Sequence, residues 1–126
     1  MAYNNILGNA ETYVAAADLT AKQFHFVVSA NGKTVNSVAT AGAAADGVLW
    51  NTPKATDAAT VVRGGEVNVF VGTGGLTAGQ DVASNNQGQA VAATTGQTIL
   101  GKARETVAAG GLAMITFYAP AQRTKA

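Results

Sequence analysis

The chain has 126 residues, 12% of them charged and none of them cysteine, with a formal net charge of +1. That length fits one domain, the missing thiols exclude a disulfide framework and a thiolate metal site, and eight cations scattered against seven anions leave no basic stripe for nucleic acid. The apolar fraction of 48% contains much alanine, and only 6% of residues are aromatic, so burial gains less per residue than in a Leu-rich core and self-association is expected to add stability.

The first 17 residues are small and polar, with Tyr3, Ile6, Leu7, Tyr13 and Val14 spread among them. They read as an extended N-terminal arm, residues 1–17, whose larger side chains are candidate contacts to a capsid or a neighbouring subunit. The segment has neither a basic start nor an apolar run suited to a signal peptide. Nothing in the chain approaches the roughly 20 apolar residues of a membrane span, so a soluble protein with no membrane partner is expected.

Residues 18–119 read as one β-rich domain. Gln23 to Ser29, with Phe24, Phe26, Val27 and Val28, reads as a strand, and Asn31-Gly32 follows as a hairpin signal before a returning strand from Thr34 to Thr40. Further strands are predicted at Gly47–Trp50, Ala59–Arg63, Glu66–Val71, Asp81–Ser84, Gln89–Ala93, Thr98–Ala103 and Leu112–Tyr118. Turn residues separate them roughly every ten positions, the spacing of a small β-barrel or β-sandwich with little helix. In Glu66–Val71 the valines share one face and are assigned to the core. The last run is apolar on both faces, which marks either a central strand or one covered by a partner. Phe117 and Tyr118 therefore join the candidate contacts. Ala41–Asp46 is too short to hold a helix alone, Thr106–Ala109 has room for one turn, and residues 120–126 read as a basic, flexible tail.

Catalytic chemistry finds little to work with. His25 is the single imidazole, predicted to face solvent or a subunit boundary, and no G-x-S-x-G elbow accompanies it. The seven carboxylates form no D-x-D or E-x-x-H spacing, and Asp46, Asp57 and Asp81 fall in turn contexts that suit them structurally. Gly72 to Gly79 lacks the Lys-Ser/Thr of a phosphate loop and precedes no helix. Trp50 and the tyrosines read as core or interface anchors. No catalytic residue, cofactor or metal ligand is assigned, and no enzyme activity is expected.

Taken in order, several segments resemble the capsid cement (decoration) proteins of bacteriophage heads. They are Asp18-Leu19 with the strand to Val28, the Asn31-Gly32 hairpin, Asp46-Gly47-Val48-Leu49-Trp50-Asn51-Thr52-Pro53 and Val61-Val62-Arg63-Gly64-Gly65. Then come Val67–Val71, Ala78-Gly79-Gln80-Asp81-Val82, Gly88-Gln89-Ala90-Val91 and Ile99 to Glu105. The likeness spans Asp18 to Tyr118. It implies a β-barrel-like subunit, usually a homotrimer, that is made in the host bacterial cytoplasm. It also implies a seat on the outer surface of the virion head, clamping neighbouring major capsid subunits. Two other readings suit the same residues: another phage part, such as a head-fibre base or tail-tube subunit, and a small glycan-binding β-module using Trp50.

Overall fold

A computed structural model describes residues 10–117 and 122–125. Twelve strands follow in chain order: β1 (Ala10–Ala15), β2 (Phe26–Val28), β3 (Thr34–Ser37), β4 (Gly47–Leu49), β5 (Ala58–Val62), β6 (Gly65–Phe70), β7 (Asp81–Ser84), β8 (Ala90–Ala92), β9 (Thr98–Ile99), β10 (Gly101–Ala103), β11 (Leu112–Phe117) and β12 (Arg123–Thr124). Among the described residues there is no helix. The protein is all-β.

The first five strands close into a barrel in the order β1-β3-β2-β4-β5. Closure comes from β1, which pairs antiparallel with β5 and parallel with β3. The next strands form a five-stranded antiparallel sheet, β6-β11-β10-β7-β8, and β12 pairs with β9 in a two-stranded ribbon.

Two apolar clusters explain this arrangement. Tyr13, Ala15, Leu19, Val27, Val35, Leu49, Ala59 and Val61 fill the barrel interior. A larger cluster lies between the barrel and the sheet: Phe26, Val48 and Val62 meet Val67, Val69, Val82, Leu100, Ile115 and Phe117 there. Neighbouring residues of β2, β4 and β5 thus point into different cores, Val27 and Phe26, Leu49 and Val48, Val61 and Val62. These three strands form a wall shared by both cores, so they read as unbroken apolar runs. By contrast β6 and β11 bury alternate residues, as expected for strands with one covered face. Gly101 lies where β10 and β11 come closest, and a Cβ there would press into the Thr116 carbonyl oxygen.

The structure decides one open expectation and corrects others. The run Leu112–Phe117 is a central strand, held between β6 and β10. Thr98–Ala103 splits at Leu100, so that β9 serves the ribbon and β10 the sheet. The strand expected from Gln23 begins only at Phe26, because Phe24 takes a positive φ of 65° in a turn where the His25 amide donates to Lys22 O at 3.0 Å. A bulky residue there is strained. Two backbone bonds and one ring contact hold it: its amide donates to Leu49 O at 2.7 Å, its carbonyl accepts from Phe70 N at 2.9 Å, and its ring meets Trp50 edge-on at 5.6 Å.

The fold takes in parts of both expected terminal segments. Residues 10–15 of the arm form the barrel strand β1, because Tyr13 and Ala15 fill the barrel interior and five positions pair with β5. The expected arm over residues 1–9 lies outside the described residues. At the other end, residues 122–125 are part of the fold rather than a free tail. The Gln122 side chain donates to Ala45 O and accepts from Ala45 N, β12 pairs with β9, and Lys125 Nζ reaches Asp81 Oδ2 at 3.0 Å.

Candidate contact surface

The seven carboxylates each have a structural partner. Glu11 pairs with Arg63 at 3.0 Å, Glu66 with Arg104 and Asp81 with Lys125. Asp18 accepts from the Thr20 amide and hydroxyl, Asp46 from the Ser29 amide at 2.6 Å, Asp57 from the Lys54 amide and Glu105 from the Met114 amide. The Thr20 bonds and the Lys125 bond hold the Asp18 and Asp81 carboxyls below the usual range. No cluster of metal-binding side chains occurs among the described residues.

His25 is buried rather than facing solvent, with 6% of its surface exposed. Its ring stacks on Phe70 at a centroid distance of 5.1 Å, and Nδ1 lies 2.9 Å from the Gln23 carbonyl. A carbonyl only accepts, so Nδ1 carries the proton. Burial pushes the imidazole pKa down, which favours the neutral ring. Its neighbours bind barrel to sheet: the Phe70 amide donates to Phe24 O and the Phe26 amide to Gly88 O. The histidine is a structural joint. Its isolation in a polar and aromatic turn gave no sign of that, since Phe70 is distant in sequence.

The predicted contact residues separate. Tyr13 is inside the barrel, and Phe117 stacks on Phe26 at 6.1 Å within the larger core. Both side chains are spent on folding, because each points inward from a strand with one covered face. Tyr3, Ile6, Leu7 and Tyr118 lie outside the described residues. Val14 alone of the described candidates faces outward, 42% exposed. Trp50 is half-buried against the larger core and Phe24, leaving no open aromatic platform.

Val14 belongs to the barrel wall that the five-stranded sheet does not cover. Register places Thr34 beside Val14, and Asn36 beside Val28. Val28 is 37% exposed, and Ala16, Ala30 and Asn36 are exposed with it. Ala16, Val28, Ala30, Thr34, Val35 and Asn36 line a shallow, mainly apolar depression of about 270 Å³. No charged side chain lines it, so a partner docking there desolvates little charge. Sequence reasoning found Val14 but missed Val28, which was read only as part of a strand.

No protein-family model and no curated protein matches the sequence. The fold is similar to a solved structure, the head fiber gp8.5 N base of bacteriophage phi29, with a TM-score of 0.71. That match covers 86% of this chain and 92% of the other, at 16% sequence identity. The likeness establishes a shared all-β architecture.

Proposed function

We propose that this chain is a structural protein of a phage head exterior, bound to the shell through the outer barrel wall around Val14 and Val28. The observation carrying this reading is the fold shared over nearly the whole of both chains with the base of a head fiber. Low charge, the order of segments resembling cement proteins and the carboxylates engaged in structural bonds support the same view. The partner is the major capsid protein, and the chain acts as a homotrimer, which presents three copies of the wall and gains avidity from them.

Within that class, clamping of neighbouring capsid subunits is the finer function proposed, as in cement proteins. The fibre-base reading is favoured by the structural neighbour and gives a different outcome when the protein is removed. Co-sedimentation with heads lacking the protein tests the class: wild type should bind, and Val14→Asp with Val28→Asp should bind at least about tenfold more weakly, roughly 1.4 kcal/mol. Unchanged binding by that folded variant would overturn the assigned wall. Heating heads with and without the protein separates the two finer roles. A clamp raises the temperature at which packaged DNA escapes, whereas a fibre base leaves it unchanged.

A further inference from the structure

The loop between β2 and β3 carries the one Asn-Gly pair of the sequence, Asn31-Gly32, and both residues are exposed. The turn needs this pair. Asn31 Oδ1 accepts from the Lys33 amide at 2.9 Å, the Thr34 amide at 2.8 Å and the Thr34 hydroxyl at 3.2 Å. Only a short side chain ending in an oxygen can serve its own backbone in this way. Gly32 follows with a φ of 78°, where a side chain would be strained. Its own amide donates to Ser29 Oγ at 2.8 Å, and Ser29 is fixed in turn through its amide to Asp46 Oδ2 at 2.6 Å. The residues that make the turn are also a reactive pair. A glycine nitrogen meets an asparagine carboxamide with no Cβ in the way, and a Cβ built on Gly32 would meet nothing within 4 Å, so the site is open to water.

We propose that Asn31 is a site of spontaneous deamidation, and that Ser29 and Thr34 hold the reaction back in the folded chain. The Gly32 nitrogen gives up its proton and bonds to Asn31 Cγ. Nδ2 takes up that proton and leaves as ammonia, which closes a five-membered succinimide. Water then opens the ring. Cleavage of the new N–Cγ bond leaves an aspartate at position 31. Cleavage on the main-chain carbonyl side leaves an isoaspartate, whose chain runs through Cβ and is longer by one methylene. Cyclisation requires the Gly32 N–H to leave Ser29 Oγ and the carboxamide to leave its three donors, so its rate follows local opening of the turn. The two products differ in consequence. Aspartate keeps an oxygen in the place of Oδ1, and its charge strengthens the bonds from residues 33 and 34. Isoaspartate withdraws that acceptor and lengthens a loop that sets where Thr34 meets Val14 and Asn36 meets Val28. It therefore loosens the hairpin and distorts the depression lined by Ala30, Thr34 and Asn36. This inference concerns the free chain and stands whether or not the head-surface reading holds.

The test ages the full chain in warm, mildly alkaline buffer and follows the peptide carrying Asn31-Gly32 by mass spectrometry. A synthetic peptide of residues 27–37, in which nothing restrains the pair, supplies the reference rate. The peptide should convert at least about tenfold faster than the folded chain. Ser29→Ala should speed conversion in the folded chain about fivefold, the effect of losing one hydrogen bond on the attacking nitrogen. Thr34→Val should speed it less, because its hydroxyl makes the longest of the three bonds to Oδ1. The isoaspartyl fraction, identified with an isoaspartyl methyltransferase, should melt below the unaged protein, whereas Asn31→Asp should melt with it or above it. Equal rates in peptide and folded chain would overturn the proposal, as would a Ser29→Ala rate equal to wild type. Conversion confined to other asparagines would overturn the site itself.

Discussion

The barrel and the five-stranded sheet use the same residue types but reach stability differently. The sheet is a set of antiparallel neighbours, and its covered face rests on a core to which both halves of the molecule contribute. The barrel encloses its own smaller core, and its closure depends on one strand, β1, reaching both β5 and β3. A sheet can lose contacts at its margin and keep its centre. A closed barrel that loses a strand exposes its interior, here Val27, Val35, Leu49 and Val61. The difference teaches that the early part of the chain, which looks least structured by composition, holds the barrel together.

The strongest challenge to that comparison is truncation. Deleting residues 2–8 should leave the β circular dichroism spectrum intact, whereas deleting residues 2–17 removes β1 and should abolish cooperative unfolding. Two truncations with the same melting behaviour would show that β1 is dispensable. A smaller effect sharpens the contrast between the cores. Ile115→Ala, at the fully buried centre of the larger cluster, should cost about 3–5 kcal/mol in urea unfolding. Leu19→Ala, within the barrel core, should cost about 2–3 kcal/mol because its site has fewer neighbours to leave unsupported. The reverse order would place the weight of stability in the barrel.

Legibility in the sequence followed how many faces each strand covers. Strands with one buried face, such as β6, declare themselves through Val67 and Val69 alternating with Glu66 and Asn68. The shared wall declares itself through doubled apolar residues at Val48-Leu49 and Val61-Val62. β1 was missed because Ala10, Glu11 and Thr12 are poor strand signals, and only pairing with β5, some fifty residues away, makes them a strand. The tail at residues 122–125 was missed for a similar reason: Gln122 acts through the backbone of Ala45. The outer barrel wall was half legible. Val14 stood out in a polar segment, but the outward turn of Val28 depends on register with Asn36.

His25 joins the two regions, and pH probes that joint. Burial lowers the folded pKa below the ordinary value of 6.5, so the unfolded chain binds the proton more readily. The contribution of the neutral ring is fully present above pH 6.5 and is lost progressively as pH falls through that value towards the folded pKa. Wild type should therefore lose thermal stability between about pH 7 and 5. His25→Gln should be less stable than wild type at pH 7.5, for lack of the stack on Phe70, with a much flatter dependence over the same window. A variant as stable as wild type would remove the histidine from the joint.

The smallest effect belongs to the end of the chain, where the ribbon meets the sheet. Lys125 Nζ lies 3.0 Å from Asp81 Oδ2, with side chains 37% and 20% exposed. Solvent screens such a pair, so Lys125→Ala should cost only about 0.2–1 kcal/mol, and less in high salt. The Lys125 hydrogen bond lowers the Asp81 pKa from its ordinary 3.8. For a depressed carboxylate the stabilisation is present above the unfolded value and disappears as pH falls through the folded one. The wild-type advantage over Lys125→Ala should thus persist at pH 5, where the His25 contribution is already fading, and vanish near pH 2. Comparing the two proteins by urea unfolding at pH 7, 5 and 2 separates the two titrations. If the difference disappeared by pH 5, Asp81 would not be its source. If no difference appeared even at pH 7 in low salt, the backbone pairing of β12 with β9 would by itself hold the end of the chain.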